Sequence, residues 1–341
     1  MRICLISPPY KSVVKSVVGV SSPPLGLAYL ASVLRKDNEV RIIDSDILDY
    51  GMEDVRRELK RFNPDIVGIT SVTPSIPQAY EVAKIAKEVR ENSIVVMGGP
   101  HVTFLPEQTL KECKDVDIIV KGEGEKITKE LADAIENKEP LENVRGITFR
   151  KEDKIVNNKP MPFIRNIDAI PFPSRDLLPV DKYQVNGTRY TTMITSRGCP
   201  FGCSFCSSSR LFGGYWRGRS PENVLDEMRI IYEDYETKNI EFMDDTFTLD
   251  QKRVEQICDG IIKEGWDITW GASSRVDTIN GEMIKEMKRS GCNCIYYGVE
   301  SANPKILNEF YRKRISLDQV VDAVKKTKEN GILTVCSFII G

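Results

Sequence analysis

Residues 189–209 read RYTTMITSRGCPFGCSFCSSS. The first eight, RYTTMITS, are β-branched and apolar enough for a buried strand. The chain then turns into a loop holding Cys199, Cys203 and Cys206 at the spacing C-x3-C-x2-C. Three thiolates in one loop can ligate three irons of a cubane cluster and leave the fourth iron with an open position. Gly198, Pro200 and Gly202 let the backbone wrap tightly, and N–H groups aimed at the sulfurs would tune the potential. A structural zinc site and reactive free thiols are the competing readings. Zinc needs four ligands, usually from paired C-x2-C. The single histidine, His101, is remote in the chain, and nothing completes a zinc knot around Cys292 and Cys294, whose spacing puts them on one face of a strand. Cys4, Cys113, Cys258 and Cys336 fall in apolar stretches and read as small core residues.

Downstream of the loop the alternation continues. NIEFMDD, DITWGASSR, CNCIYYGVES and ILTVCSFIIG read as strands, separated by helical patterns at 221–235, 250–264, 280–290 and 316–330. Together with 189–196 this is a (β/α) barrel pattern that stops after its fifth strand, so a partial barrel over 189–341, incomplete at the carboxyl end of a longer protein, is expected. Upstream, RICLISPP (2–9), EVRIIDSD (39–46), DIVGITSVT (65–73), SIVVMGGPHVT (93–103) and VDIIVKGEGE (116–125) alternate with helical stretches at 26–36, 51–62, 75–91, 106–113 and 125–137. Continuous β-branched runs suit a parallel sheet covered on both faces. Residues 1–140 are therefore expected to form a Rossmann-like, flavodoxin-type doubly wound domain that binds ligands beyond the carboxyl ends of its strands. Between the two, 141–188 read as a small hairpin around KEDK and a proline-rich linker.

The 341 residues carry 48 Lys and Arg against 50 Asp and Glu, a formal charge of −2. That balance gives no basic footprint, so no nucleic-acid partner is expected. Hydrophobic residues at 41% and charged residues at 29% suit a soluble globular chain with a real core. No apolar run reaches the roughly 18 residues of a membrane span, and MRICLISPPYK has no signal-peptide pattern. A cytoplasmic protein is expected, and nine cysteines there argue against a disulfide framework.

With Phe205 before its last cysteine, C-x3-C-x-aromatic-C after a strand resembles the radical S-adenosylmethionine (SAM) superfamily. The resemblance implies a [4Fe-4S] cluster whose open iron chelates SAM, with reduction cleaving SAM to a 5′-deoxyadenosyl radical. It also implies roles at successive strand ends. Met243, Asp244 and Asp245 stand where the family holds the SAM amino group, a match in position rather than in letters. Ser273 and Arg275 resemble the carboxylate contacts, Glu300 the ribose contact, and Ile340 with Gly341 the start of the adenine segment. Taken singly, the two aspartates also read as a helix N-cap, and Arg275 with Glu300 as a structural ion pair. Together they fit a site at the carboxyl-terminal face of a barrel.

The first half lacks D-x-H-x-x-G, because the loop SPPYKSVVKS has no histidine. Its ISPP, PPLGLAYLAS, GITSVT, GGPHVT and GEGE segments resemble the radical SAM proteins that carry an amino-terminal cobalamin-binding domain and bind cobalamin without a histidine lower ligand. That resemblance covers essentially the whole chain. It implies cobalamin contacts from Pro9, from Thr70, Ser71, Thr73 and Ser75, from Gly98 and Gly99, and from Glu123, Gly124 and Glu125. His101 would line the nucleotide side. Strand-end turns that bind nothing are the alternative.

The activity so implied is a class B radical SAM methyltransferase, acting on an unactivated carbon or phosphorus of a small-molecule or lipid-like substrate. An electron donor such as reduced ferredoxin or flavodoxin would serve it. An oxidative cyclase or rearrangement enzyme without methyl transfer is the first alternative, and a non-enzymatic iron–sulfur electron carrier or binding module the second. A methylthiotransferase is disfavoured, since its first domain would need three further cluster cysteines and only Cys4 and Cys113 are there.

Overall fold

The computed structural model describes residues 1–10 and 21–340. Residues 11–16 of the SPPYKSVVKS loop and Gly341 therefore lie outside the described residues. The chain divides into two compact units, one of Met1–Ile164 with Ala169–Tyr183, the other of Arg165–Asp168 with Gln184–Gly341.

The first unit is built on a seven-stranded sheet. Its strands are β1 (Arg2–Ser7), β2 (Glu39–Asp44), β3 (Ile66–Thr70), β4 (Ile94–Gly98), β5 (Ile118–Val120), β6 (Ile147–Lys151) and β7 (Lys154–Asn157), in the order β2-β1-β3-β4-β5-β6-β7. The first five are parallel; the KEDK hairpin adds β6 antiparallel to β5 and β7 antiparallel to β6. Side-chain alternation buries both faces. Cys4, Ile6, Val67, Ile69, Val95 and Met97 pack with helices Met52–Phe62 and Ile76–Val89. Ile3, Leu5, Val96 and Ile118 pack with helices Leu25–Leu34 and Gly124–Glu136. This is the doubly wound, flavodoxin-type order expected for the first five strands, with its topological reversal between β1 and β3. The segment after the hairpin is tied to the same unit: Ser174 N–H donates to the Ala28 carbonyl at 3.0 Å, and Tyr183 Oη donates to the buried Asp44 at 2.8 Å.

The second unit holds β8 (Gln184–Val185), β9 (Thr188–Met193), a small ribbon of β10 (Ser196–Arg197) with β11 (Arg217–Gly218), then β12 (Asn239–Phe242), β13 (Thr269–Ser274), β14 (Cys292–Glu300) and β15 (Leu333–Phe338). Its sheet has the order β15-β14-β13-β12-β9-β8, with β9, β12, β13, β14 and β15 parallel. This is the partial barrel. All four of its long helices start at a side-chain cap: Ser220 before Pro221–Glu233, Asp250 before Gln251–Glu264, Asn280 before Gly281–Arg289, Ser316 before Leu317–Glu329. Each accepts an otherwise orphaned amide of the first turn. Trp270, Phe242 and Phe247 form an aromatic cluster in the helix-side core, with Phe242 and Phe247 stacked at 4.9 Å.

Two local expectations are corrected. The segment around His101, read as a loop, is a helical turn, Pro100–Phe104, because Gly99 turns the chain at φ +103° and Pro100 is pre-set for the first helical position. Cys292 and Cys294 do not share a face. The pairing of β13 with β14 shifts between Trp270 and Gly271, so Cys292 joins the helix-side core while Cys294 lies with Tyr296 and Glu241. The segment Ile306–Phe310, for which the sequence suggested no element, forms a short π-helical turn.

Candidate active site

In the second unit, the carboxyl ends of the parallel strands carry the expected residues. The cysteine loop follows β9, and its conformation depends on two glycines. Gly198 has φ +86°, and a Cβ there would press into the Tyr215 carbonyl; Gly202 has φ +63°. The three cysteines are free and half-buried. Burial pushes the Cys203 thiol up, against the pull of Arg275 and Lys313, while Cys199 and Cys206 push it further. That mutual influence marks the three thiols as one group. Among the described residues no three His, Cys, Asp or Glu side chains converge on a single-ion site; thiolates on three different irons of a cubane need no such convergence. Three thiols in a glycine-shaped loop with cations beside them fit an anionic iron–sulfur cluster.

Buried hydrogen bonds fix the loop. Asp244, 3% exposed, accepts from Thr195 N–H at 2.7 Å and from the hydroxyls of Thr195 and Ser196 at 2.6 Å. Asp245 accepts from Gly198 N–H at 3.0 Å. Arg253 donates to the carbonyls of Arg219 and Thr195 at 2.6 and 2.7 Å, and Arg219 pairs with Glu227 in the interior. On the far side Ser204 N–H donates to the Tyr311 carbonyl, and Phe205 meets Tyr311 edge-on at 5.1 Å.

Arg275 is buried over the Phe201 ring, 3.6 Å from its centroid. Its fork grips Asp277 through Nε and Nη2 at 2.9 and 2.8 Å, Nη2 also donates to the Lys313 carbonyl, and Nη1 faces the Cys203 sulfur at 3.8 Å. Glu300 pairs with Lys313 at 2.7 Å, in space that Gly298 leaves open: a Cβ there would lie 2.5 Å from Glu300 Oε1 and 2.6 Å from Lys313 Nζ. Arg275 and Glu300 thus have partners other than each other. Met243 is exposed at the end of β12, Ser273 lies on the inner face of β13, and Ile340 is fully exposed beyond β15. Lys313, Asp277, Arg253 and Thr195 were missed. Asp277 had a signal, an acid two residues after the arginine; Lys313, in the irregular YRKRI stretch, had none.

In the first unit, the expected residues line the carboxyl ends of β1, β3, β4 and β5. Gly99 approaches β3 so closely that a Cβ would stand 2.5 Å from the Ser71 carbonyl oxygen. Ser71 Oγ donates to the Gly98 carbonyl at 3.0 Å, and Ser75 Oγ to the Val72 carbonyl at 3.1 Å, so both hydroxyls are engaged within their own loops. Thr73 Oγ1 and His101 Nδ1 are 3.1 Å apart. Thr103 Oγ1 accepts from Gly122 N–H at 3.1 Å, joining the β4 and β5 loops. Glu123 accepts from Ile164 N–H at 3.1 Å, Glu125 is buried, and Gly124 begins its helix against Leu30. Thr70 ends β3, and Pro9 is half-buried just past β1. The close Ser71–Gly99 approach leaves bare backbone, not side chain, at the carboxyl ends of β3 and β4, where a flat, polar-edged cofactor can come close.

The B12 binding domain family model matches residues 11–132, and the radical SAM superfamily model matches residues 193–341. An uncharacterized methyltransferase of Pyrococcus horikoshii, PH0819, is 51% identical over all of this chain, which spans 74% of that protein. The anaerobic magnesium-protoporphyrin IX monomethyl ester cyclase of Rubrivivax gelatinosus is 32% identical over all of this chain, which spans 62% of it. Among solved structures, the cobalamin-dependent SAM radical enzyme OxsB, with aqua-cobalamin and SAM bound, superposes with a TM-score of 0.84 at 24% identity over 99% of this chain and 49% of its own. The chain thus spans about half to three quarters of the length of these relatives. Among the described residues no helix is long and apolar enough to cross a membrane. The chain belongs to the radical SAM enzymes that carry an amino-terminal B12-binding domain.

Proposed function

We propose that the protein is a cobalamin-dependent methyltransferase acting on an unactivated carbon, or on phosphorus, of a small-molecule or lipid-like substrate. The observation that carries this is 51% identity, over all of this chain, to an uncharacterized methyltransferase, with the cysteine loop and the glycine-bearing strand ends in one chain. In this proposal Cys199, Cys203 and Cys206 hold the [4Fe-4S] cluster. When bound, the cluster and SAM supply a hydrogen-abstracting radical, and cobalamin supplies the methyl group.

The remaining work belongs to side chains. Asp277 and the Lys313 carbonyl aim Arg275 so that Nη1 points at the cluster edge, where the cation favours added negative charge. Asp244 has both oxygens engaged by the loop, so it acts as a positioning residue and the SAM ammonium falls to Asp245 and the Met243 backbone. Ser273, Glu300 and Ile340 line the rest of the SAM site, Phe205 covers the cluster, and Lys313 holds Glu300 in place through their ion pair. In the first unit Ser71, Gly98, Gly99, Thr73 and His101 line the cobalamin crevice. The proposal is for a cytoplasmic enzyme drawing electrons from a reduced ferredoxin or flavodoxin.

Gly99→Ala tests the crevice. A side chain at φ +103° costs about 1–3 kcal/mol of backbone strain, and here it also displaces Ser71. Hydroxocobalamin affinity should fall at least roughly tenfold, the equivalent of about 1.4 kcal/mol, while iron content stays at the parent value. Unchanged affinity would remove the crevice as the binding site.

A second reading, ring closure without methyl transfer, is favoured by the 32% identity to the Rubrivivax cyclase. The two separate on methyl-labelled SAM given to the reduced, fully loaded protein. Label leaving SAM and co-eluting with the corrinoid is the outcome for a methyltransferase. Formation of 5′-deoxyadenosine with all label retained in methionine favours the cyclase.

A further inference from the structure

The inner face of the half-barrel carries a carboxyl that the cluster and SAM residues leave unused. Trp270 and Ala272 of β13 pack into the helix-side core, so Gly271 between them faces inward. Glu241 is paired with Thr192 on one side and Gly271 on the other, and Gly271 with Cys294. One inner row therefore reads Thr192, Glu241, Gly271, Cys294. A Cβ on Gly271 would stand 2.5 Å from Glu241 Oε2, so the missing side chain makes the space the carboxyl occupies. Ser273 and Tyr296, paired with each other, form the next row toward the carboxyl ends.

The titratable groups around this corner are Tyr190 from β9, Glu241 from β12, and Cys294 and Tyr296 from β14; β13 presents Thr269, Gly271 and Ser273. No lysine or arginine offsets Glu241 among the described residues, and burial alone pushes its carboxyl from 4.5 up to about 7. Between those values the folded chain retains a proton that the unfolded chain releases, so stability falls as pH rises through that window. A half-buried carboxylate without a cation is costly. A ligand that brings the cation removes that cost, and Tyr296, which interacts electrostatically with Glu241 and Tyr190, adds aromatic surface beside it.

We infer that Glu241, flanked by Tyr190 and Tyr296, is a substrate-recognition group for a protonated nitrogen, so that the substrate class is one bearing an amine or similar organic cation. This rests on the proposed function only in taking the half-barrel lumen as the place where substrate sits.

The test uses n-butylammonium, n-butanol and butyrate as probes of equal length, titrated calorimetrically into the reconstituted protein at pH 6 and pH 8. Butylammonium should bind at least roughly tenfold tighter than the other two, and roughly tenfold tighter at pH 8 than at pH 6, because only the ionised carboxyl takes the cation. E241Q should lose at least roughly tenfold in butylammonium affinity together with its pH dependence, and E241D should recover part of both. Equal binding of n-butanol and butylammonium by the parent protein would overturn the inference, even if E241Q failed to fold; so would a folded E241Q that binds butylammonium like the parent. A hydroxocobalamin titration of the same parent preparation tests the proposed function separately. Failure there with butylammonium selectivity intact sinks that function and leaves the cation site.

Discussion

The Cys206→Ala chain, reconstituted anaerobically with iron and sulfide, will lose the broad visible absorbance of a [4Fe-4S] cluster and produce no 5′-deoxyadenosine from SAM. Only three thiolates are present in the loop, and the fourth iron is the one left open, so the loop has no spare ligand. The neighbours of the lost sulfur offer no substitute. Ser204 is held by the 310–311 backbone, and Thr246 Oγ1 is already near Cys199 at 3.7 Å. The fold should survive, because Cys206 lies outside the hydrophobic core of its unit. Iron per chain and 5′-deoxyadenosine by chromatography are the readouts. A full cluster with SAM cleavage at the parent rate would show that other residues bind the metal.

Glu227→Ala should destabilise the second unit by about 3–5 kcal/mol, the cost of leaving a buried charge without its partner. Glu227 and Arg219 are 1% and 5% exposed and paired with each other. Arg219 also donates to the Ile194 carbonyl at 2.9 Å and to the Asn223 carbonyl at 2.8 Å, so a loosened guanidinium frees the strand that leads into the cysteine loop. All three tryptophans, Trp216, Trp266 and Trp270, belong to this unit. Their fluorescence during urea unfolding therefore reports on it alone. A loss under about 1 kcal/mol, the range of exposed pairs, would mean that water replaces the partner. The same variant should bind cobalamin as the parent does, since Gly99 and Ser71 belong to the other unit.

Much of the fold was legible because most strands are β-branched runs and most helices carry a clear apolar period. The second-unit helices were the easiest, since Ser220, Asp250, Asn280 and Ser316 are good caps at their first turns. What sequence could not show was partnership across the chain. Asp244 was read toward a ligand because it ends a strand, yet its oxygens are taken by Thr195 and Ser196, 49 and 48 residues away. Arg275 was read as a carboxylate contact, but Asp277 already takes its Nε and Nη2. The face of Cys294 was misjudged for another reason. A bulge adds one residue to a strand and reverses alternation beyond it, and no residue in CNCIYYG announces one. Glu241 gave no signal at all: in NIEFMDD it is an ordinary polar residue on an alternating strand.

One measurement bears most directly on the pairing of a cobalamin crevice with a radical-generating loop in this protein. The reconstituted chain is titrated anaerobically with hydroxocobalamin, and its visible spectrum is followed. Saturable binding at one cobalamin per chain, with the spectrum of a cobalamin whose base has left the metal, is the expected result, because the first half resembles proteins that bind cobalamin without a histidine lower ligand. A folded protein with a full cluster that leaves cobalamin free in solution would contradict it.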